Sequence, residues 1–377
     1  MEYGSRLEER CLARLEVRRF SLPEENRSLV SVQGIKMSSL PPVTRFVSGN
    51  GVCIYRIACQ VFETLSARVY LLLGAGPPTL VDAGSGKTRS TADILAGLDT
   101  VRTEFGESIC PGDIRRIIIS HGHVDHFGGL PELCRAAHPD VEVAIHTFDA
   151  QAVASFGEYV AFGNSRLRSF LIHAGVEPTR REELIGMSYL SGRHVEDVPV
   201  ARRLNDGDAL DGLRIIHTPG HSPGHICIGI GNVLLSGDHI LARTVPQQWP
   251  ESTAPYTGLG HYFESIDKIQ HVPGLEVVMP GHEQIIHDAY ARINTIRSAH
   301  LRRLDRLLAM LRGANRPLSV YEISKELYPE ITGFRAVLAV TDVGARLDYL
   351  HQHGHVRVAN LDDLRQQDYP VYRFVAV

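Results

Sequence analysis

The sequence predicts an α/β protein with a second, smaller domain at its C-terminal end. Short apolar runs alternate with amphipathic helical stretches between about residues 51 and 290, and residues capable of chemistry sit where those runs end. Beyond residue 290 the pattern changes to helices closed by a hairpin. At 377 residues and 44% hydrophobic content, the chain is long enough for one large core and a smaller one. The expected layout is an N-terminal extension over 1–50, a main domain over 51–290 with a helical insert near 150–190, and a tail domain over 291–377.

Residues 1–50 are weakly patterned, with Pro41 and Pro42 near their end. Strand-like runs follow at Val52 to Phe62 and Ala67 to Leu73, then a Gly/Pro turn from Gly74 to Pro78 and a short strand from Thr79 to Val81. That strand delivers Asp82 into Ala83-Gly84-Ser85-Gly86, where an acid at a strand end can brace a metal-binding histidine. Ile94, Leu98, Val101 and Phe105 recur at helical spacing behind a cap expected at Thr91, and this helix returns the chain to an Ile117 to Ile119 strand. Another strand covers Val141 to Ile145, and from about 150 to 190 the pattern is helical, with breaks expected at Gly163, Gly175 and Gly186.

The stretch with the densest chemistry is Ser120-His121-Gly122-His123-Val124-Asp125-His126, at the end of the isoleucine strand. In extended backbone His121 and His123 share a face, while Asp125 and His126 fall where the chain turns. One short segment can therefore serve two metals, and imidazole with carboxylate suits Zn2+ or non-haem iron. Further ligands come from later strand ends. Leu213 to Ile216 leads into His217-Thr218-Pro219-Gly220-His221-Ser222-Pro223-Gly224-His225, a tight loop with His221 at its centre as a natural fifth ligand and His217 and His225 as the alternatives. Asp238 follows the strand Val233 to Leu235 and has two oxygens with which to bridge two ions, and His282 follows Val277 to Met279.

Charge and targeting signals narrow the partners. A net charge of -4 and a pI near 6.5 give no global case for nucleic acid or an acidic membrane. The first twenty residues carry Arg and Glu throughout without the apolar stretch of a signal peptide, and no run approaches membrane-spanning length. Cys11, Cys53, Cys59, Cys110, Cys134 and Cys227 are scattered, so a reducing, cytoplasmic compartment is expected.

Taken together, Asp82, the His121/His123/Asp125/His126 cluster, His221, Asp238 and His282 resemble the metallo-beta-lactamase superfamily across about residues 50–290. The resemblance implies a four-layer αββα sandwich with the metals at one open edge. It places His121, His123 and His221 on one ion and Asp125, His126 and His282 on a second. Asp238 would bridge them, Asp82 would brace the ligands, and Asp125 and Asp238 would be the catalytic carboxylates. Two divalent ions are implied, with Zn2+ first and iron or manganese also compatible. Class B1 lactamases have a cysteine at the Asp238 position and no histidine at the His126 position. The pattern looks instead like hydroxyacylglutathione hydrolases, acyl-thioester hydrolases and lactonases. One departure is Ser66-Ala67-Arg68, where several relatives place an asparagine.

In the tail, a long amphipathic helix from Ile293 to Leu311 carries Ile296, Leu304, Leu307 and Leu311 on one side. Ser319 and Glu322 form a capping box for a helix reaching Tyr328. A third helix is expected over Val337 to Gln352, and a hairpin joins Val356–Val358 to Val371–Phe374. This looks like a winged helix, and resembles the tail of a superfamily branch that includes an RNA-cutting nuclease and thioesterases for carrier-bound polyketides. Nucleic-acid reading is disfavoured because Arg335, Asp342, Arg346 and Asp348 nearly cancel in charge. Packing or homodimerisation is the expected role. Arg302, Arg303 and Arg306 form a basic cluster that a phosphate-bearing substrate can meet.

Two close-set divalent ions activate water and polarise a carbonyl, so the implied reaction is hydrolysis. A small-molecule thioester is the first expectation for substrate, and a lactone or other ester the second. An endoribonuclease and a mononuclear iron persulfide dioxygenase are the alternatives from other classes.

Overall fold

The computed structural model describes residues 40–190 and 195–377, all within one compact unit, Ser39–Val377. The expectation of an extension therefore lies outside the described residues up to residue 39. Its last part does not: Thr44–Val47 forms β1, antiparallel to the next strand.

Seven strands build the first sheet in sequential order. They are β1, β2 (Cys53–Phe62), β3 (Leu65–Leu73), β4 (Thr79–Val81), β5 (Arg116–Ile119), β6 (Glu142–His146) and β7 (Arg202–Leu204). The first four run antiparallel through short turns, whereas β4, β5, β6 and β7 are parallel. The crossover between β4 and β5 is the helix Ser90–Glu104, as parallel pairing requires. Its N-cap is Arg89 and makes no side-chain cap bond. The cap expected at Thr91 is thus displaced: Thr91 lies inside the first turn, and its buried hydroxyl has no partner among the described residues.

The second sheet comprises β8 (Ala209–Leu210), β9 (Leu213–His217), β10 (Ile226–Ile230), β11 (Val233–Gly237) and β12 (Val277–Pro280), ordered β12-β11-β10-β9-β8. Three apolar clusters define the layers. One lies between the sheets, joining Ile54, Tyr70, Leu72 and Ile118 to Ile215, Ile228 and Met279. A second packs Ile94, Leu98 and Leu130 on the outer face of the first sheet. The third sets the helix Leu259–Gln270 against Ile216, Leu234 and Val278. Helix, sheet, sheet and helix are therefore stacked in that order, the αββα arrangement.

The insert contains the helices Ala150–Ala154, Phe156–His173 and Pro178–Leu190. Of the three glycines expected to break it, Gly163 and Gly186 sit inside helices, and only Gly175, at φ 83°, ends one. Leu167, Phe170 and Leu171 of the insert share the third cluster with Leu304, Leu307, Val337 and Val340 of the tail. Two backbone bonds, Tyr321 N to Ala174 O at 2.9 Å and Tyr372 N to His173 O at 2.9 Å, tie the two regions together.

The tail holds the helices Ala289–Gly313, Val320–Leu327 and Phe334–Gln352, the short helix Leu361–Gln366, and a small sheet ordered β13-β15-β14. Its strands are β13 (Leu318–Ser319), β14 (Val356–Val358) and β15 (Arg373–Ala376). Ser319 and Glu322 exchange both bonds of the capping box. Arg302 and Arg306 are exposed and Arg303 is half-buried. Among the described residues, no helix is long and apolar enough to cross a membrane.

Candidate metal centre

Side chains from four strand ends meet at one edge of the sandwich. β5 stops at Ile119, and the chain leaves the sheet through His121 and His123 into one helical turn, Val124–Phe127, that carries Asp125 and His126. His221 comes from the loop between β9 and β10, Asp238 from the residue after β11, and His282 from the loop after β12. One ligand atom from each of His121, His123 and His221 lies within 4.8 Å of the others. The same holds for Asp125, His126 and His282, and for His121, His126 and Asp238. Asp238 stands between the two triads: Oδ2 is 3.7 Å from His221 Nε2 and 3.5 Å from His282 Nε2, and Oδ1 is 3.5 Å from His126 Nε2.

Three histidines are oriented from behind by groups that only accept hydrogen bonds. His126 Nδ1 donates to Asp82 Oδ2 at 2.8 Å, His221 Nδ1 to the Gln247 carbonyl at 3.1 Å, and His282 Nδ1 to the Ser66 carbonyl at 2.9 Å. With the proton on Nδ1, a neutral ring presents its Nε2 lone pair to the centre. The Nε2 atoms of His126 and His282 face one another at 3.3 Å. Among the described residues, buried His221 Nε2 and Asp238 Oδ1 have no hydrogen-bond partner. Converging lone pairs, orphaned buried acceptors and a mixed imidazole–carboxylate donor set fit divalent cations.

Electrostatics agree with dense packing of like groups. Burial and the neighbouring histidines hold His121 well below the ordinary imidazole value, and burial with His221 takes His123 down to about 3. Burial also lowers His126 and His282, but the carboxylates around them outweigh it and both end raised. For Asp125 and Asp238 burial raises the carboxyl, and the adjacent histidines more than reverse it.

The backbone around the centre is built for close approach. Asp82 takes φ 66° and accepts from Ser120 N at 2.7 Å and Ser120 Oγ at 2.9 Å, bonds that hold a left-handed residue costing roughly 1–3 kcal/mol. A Cβ at Gly281 would lie 2.7 Å from His126 Cε1 and 2.9 Å from Asp238 Oδ1, so a side chain there collides with the centre.

The two other histidines of the His221 loop are bonded elsewhere. His217 donates to the Pro223 carbonyl at 2.8 Å and stacks on His146 at 3.9 Å. His225 accepts from Asp238 N at 3.1 Å and meets Thr218 Oγ1 at 2.8 Å.

Sequence reasoning missed Asp149 and Gln247. Asp149, 1% exposed, accepts from Gly122 N at 2.7 Å, Ser222 Oγ at 2.7 Å and Gly224 N at 2.8 Å. It therefore pins the His121/His123 segment to the His221 loop. An acid just beyond a strand end was a legible signal, the one used for Asp82. Gln247 had none, because its role depends on a loop that no periodicity describes.

A model of the metallo-beta-lactamase superfamily matches residues 64–310. The chain is 32% identical to the probable metallo-hydrolase YflN of Bacillus subtilis over 216 residues, 55% of this chain and 72% of that one. It is 27% identical over 258 residues to a Gallus gallus protein named acyl-coenzyme A thioesterase MBLAC2, covering 65% of this chain and 82% of the relative. Among solved structures, the metallo-beta-lactamase family protein TTHA1429 of Thermus thermophilus superposes with a TM-score of 0.68 at 26% identity, over 86% of this chain and 98% of its own. The chain belongs to the metallo-beta-lactamase superfamily and is a metal-dependent hydrolase of that family.

Proposed function

We propose that the chain hydrolyses small-molecule thioesters at a dinuclear centre held by His121, His123, His221, Asp125, His126, His282 and the bridging Asp238. The observation that carries the reading is the pair of ligand triads with Asp238 between them. When bound, two divalent ions, taken as Zn2+, supply Lewis acidity and an activated water. The protein supplies orientation. Asp82, Gln247 and Ser66 fix three imidazoles from behind, and Asp149 fixes the spacing of the loops that carry the first triad.

Leaving-group chemistry favours a thioester over an amide or alkyl ester. Asp125 and Asp238 must be ionised to act as ligands and then have no proton to give a departing group. A thiolate leaves without one. The likeness to a protein named an acyl-coenzyme A thioesterase points the same way. A lactone or activated ester is the second reading, since ring strain or a good alkoxide also removes the need for an acid.

We read the tail as a winged helix that packs rather than binds nucleic acid. Its helix Phe334–Gln352 buries Val337, Val340 and the Asp342–Arg346 ion pair, so these groups do not form the basic face a groove reader requires. Free thiols at all five described cysteines support a reducing, cytoplasmic setting.

Elemental analysis of purified protein, followed by assays on acyl-CoA, acylglutathione, lactone and RNA substrates, tests the reading. About two metal ions per chain and turnover highest on a thioester are expected. A single iron with oxygen uptake, or cleavage of RNA alone, would overturn it.

A further inference from the structure

Arg56 on β2 and Arg68 on β3 lie on the face that Ile54, Tyr70 and Leu72 turn toward the second sheet, since residues two apart on a strand share a face. They are only 8% and 5% exposed. Among the described residues neither pairs with a carboxylate. Arg56 Nη2 donates to the Glu283 carbonyl at 2.5 Å, and Arg68 Nη1 donates to Ser66 Oγ at 3.1 Å and the Ala67 carbonyl at 2.9 Å. Both Nε atoms are buried and have no hydrogen-bond partner among the described residues. Burial and the positive charge of Arg56 lower the basicity of Arg68, as expected for two cations sharing a poorly solvated wall.

That wall adjoins the metal centre. Arg68 N donates to the Gly281 carbonyl at 2.7 Å, and Gly281 is the residue whose Cβ would touch Asp238 and His126. Arg56 grips Glu283, and His282 between them is held by Ser66. Burying guanidinium groups without a counter-charge is costly, and neutral carbonyls offset only part of that cost. An oxyanion supplies the missing charge and matches the planar donor geometry.

We propose that Arg56 and Arg68 form an anion-binding site beside His282 that holds a carboxylate or phosphate group of the substrate. The proposal rests on the hydrolase reading for the identity of its occupant, while the site itself is testable without turnover.

Isothermal titration of inorganic phosphate into the purified full-length protein should give a dissociation constant that rises about tenfold in Arg56→Gln and in Arg68→Gln, the loss of one charge-assisted hydrogen bond. Arg56→Lys, which keeps the charge, should recover part of the loss. Elemental analysis of each variant separates this effect from disturbance of the ligands. If Arg68→Gln loses metal, Arg56→Gln decides the matter, because that guanidinium reaches the Glu283 carbonyl and not the Ser66–Ala67 segment behind His282. Equal phosphate affinity in wild type and Arg56→Gln overturns the proposal.

Steady-state kinetics then identify the source of the anion. An acyl-CoA carries phosphates on the leaving group, a succinyl thioester of N-acetylcysteamine carries a carboxylate on the acyl group, and the acetyl thioester is neutral. In the Gln variants the KM ratio of one anionic substrate to the neutral one should rise about tenfold. Ratios unchanged for both anionic substrates also overturn it. Failure to hydrolyse any thioester removes the thioesterase reading and leaves the arginine site to the phosphate titration.

Discussion

Gln247 links His221 to the tail: its carbonyl accepts from His221 Nδ1 at 3.1 Å, and its side-chain amide donates to the Leu338 carbonyl at 2.8 Å. A proposed ligand of the centre is thus braced by a loop that is itself anchored on the helix Phe334–Gln352. Gln247→Ala removes the anchor but keeps the carbonyl. Metal affinity is expected to fall about tenfold in competition with a chelator, the usual cost of losing support behind a ligand. An unchanged affinity would show that the loop holds its position without the tail.

Asp149 carries a larger share of the same geometry. Asp149→Ala strips the acceptor from two buried N–H groups and a hydroxyl, each costing about 1–3 kcal/mol, so thermal unfolding should shift down by several degrees and metal content should drop. Asp149→Asn keeps an acceptor and should lie between the two. Identical behaviour of Ala and Asn variants would contradict this account.

Asp238→Ala is expected to remove the bridge and one or both ions while the apolar core between the sheets keeps the fold. Elemental analysis together with circular dichroism checks it. Full metal content in a folded variant would rule out the bridging role.

Deletion from residue 292 onward should yield aggregated protein. Leu304, Leu307 and Leu311 and the insert residues Leu167, Phe170 and Leu171 share one cluster, and truncation exposes what remains of it. A monodisperse truncated protein on a sizing column, with unaltered activity, would refute this.

Stability should also depend on Asp348, whose carboxyl burial and then Glu251 push up to about 6. The folded state binds this proton more tightly than the unfolded chain, so its contribution is most favourable below pH 4 and is lost as pH rises through 6. Asp348→Asn should therefore stabilise the protein above pH 6, by up to roughly 2 kcal/mol after discounting for partial exposure, and have little effect near pH 4. Denaturant unfolding at both pH values measures it, and a gain of equal size at both would contradict the assigned cause.

The seven proposed ligand positions were legible in the linear chain because each lies at or beyond a strand end, where apolar runs and Gly/Pro punctuation are local signals. The long tail helix, the capping box at Ser319 and Glu322, and the crossover helix were readable for the same reason. The short strands β1, β7, β8 and β13 were not, because each offers only one or two apolar residues, whereas the equally short β4, β5 and β12 were readable from their apolar runs. Glycine was a poor guide inside the insert, where packing outweighs a helix cost of about 1 kcal/mol per residue. What only the tertiary structure decided is the set of long-range bonds: Asp149 across the two ligand loops, Gln247 between His221 and the tail, and Arg56 and Arg68 against the His282 loop. Residue type reveals which atoms can bind a metal, whereas the partners that aim them are chosen by how distant strands pack, and no local pattern encodes that choice.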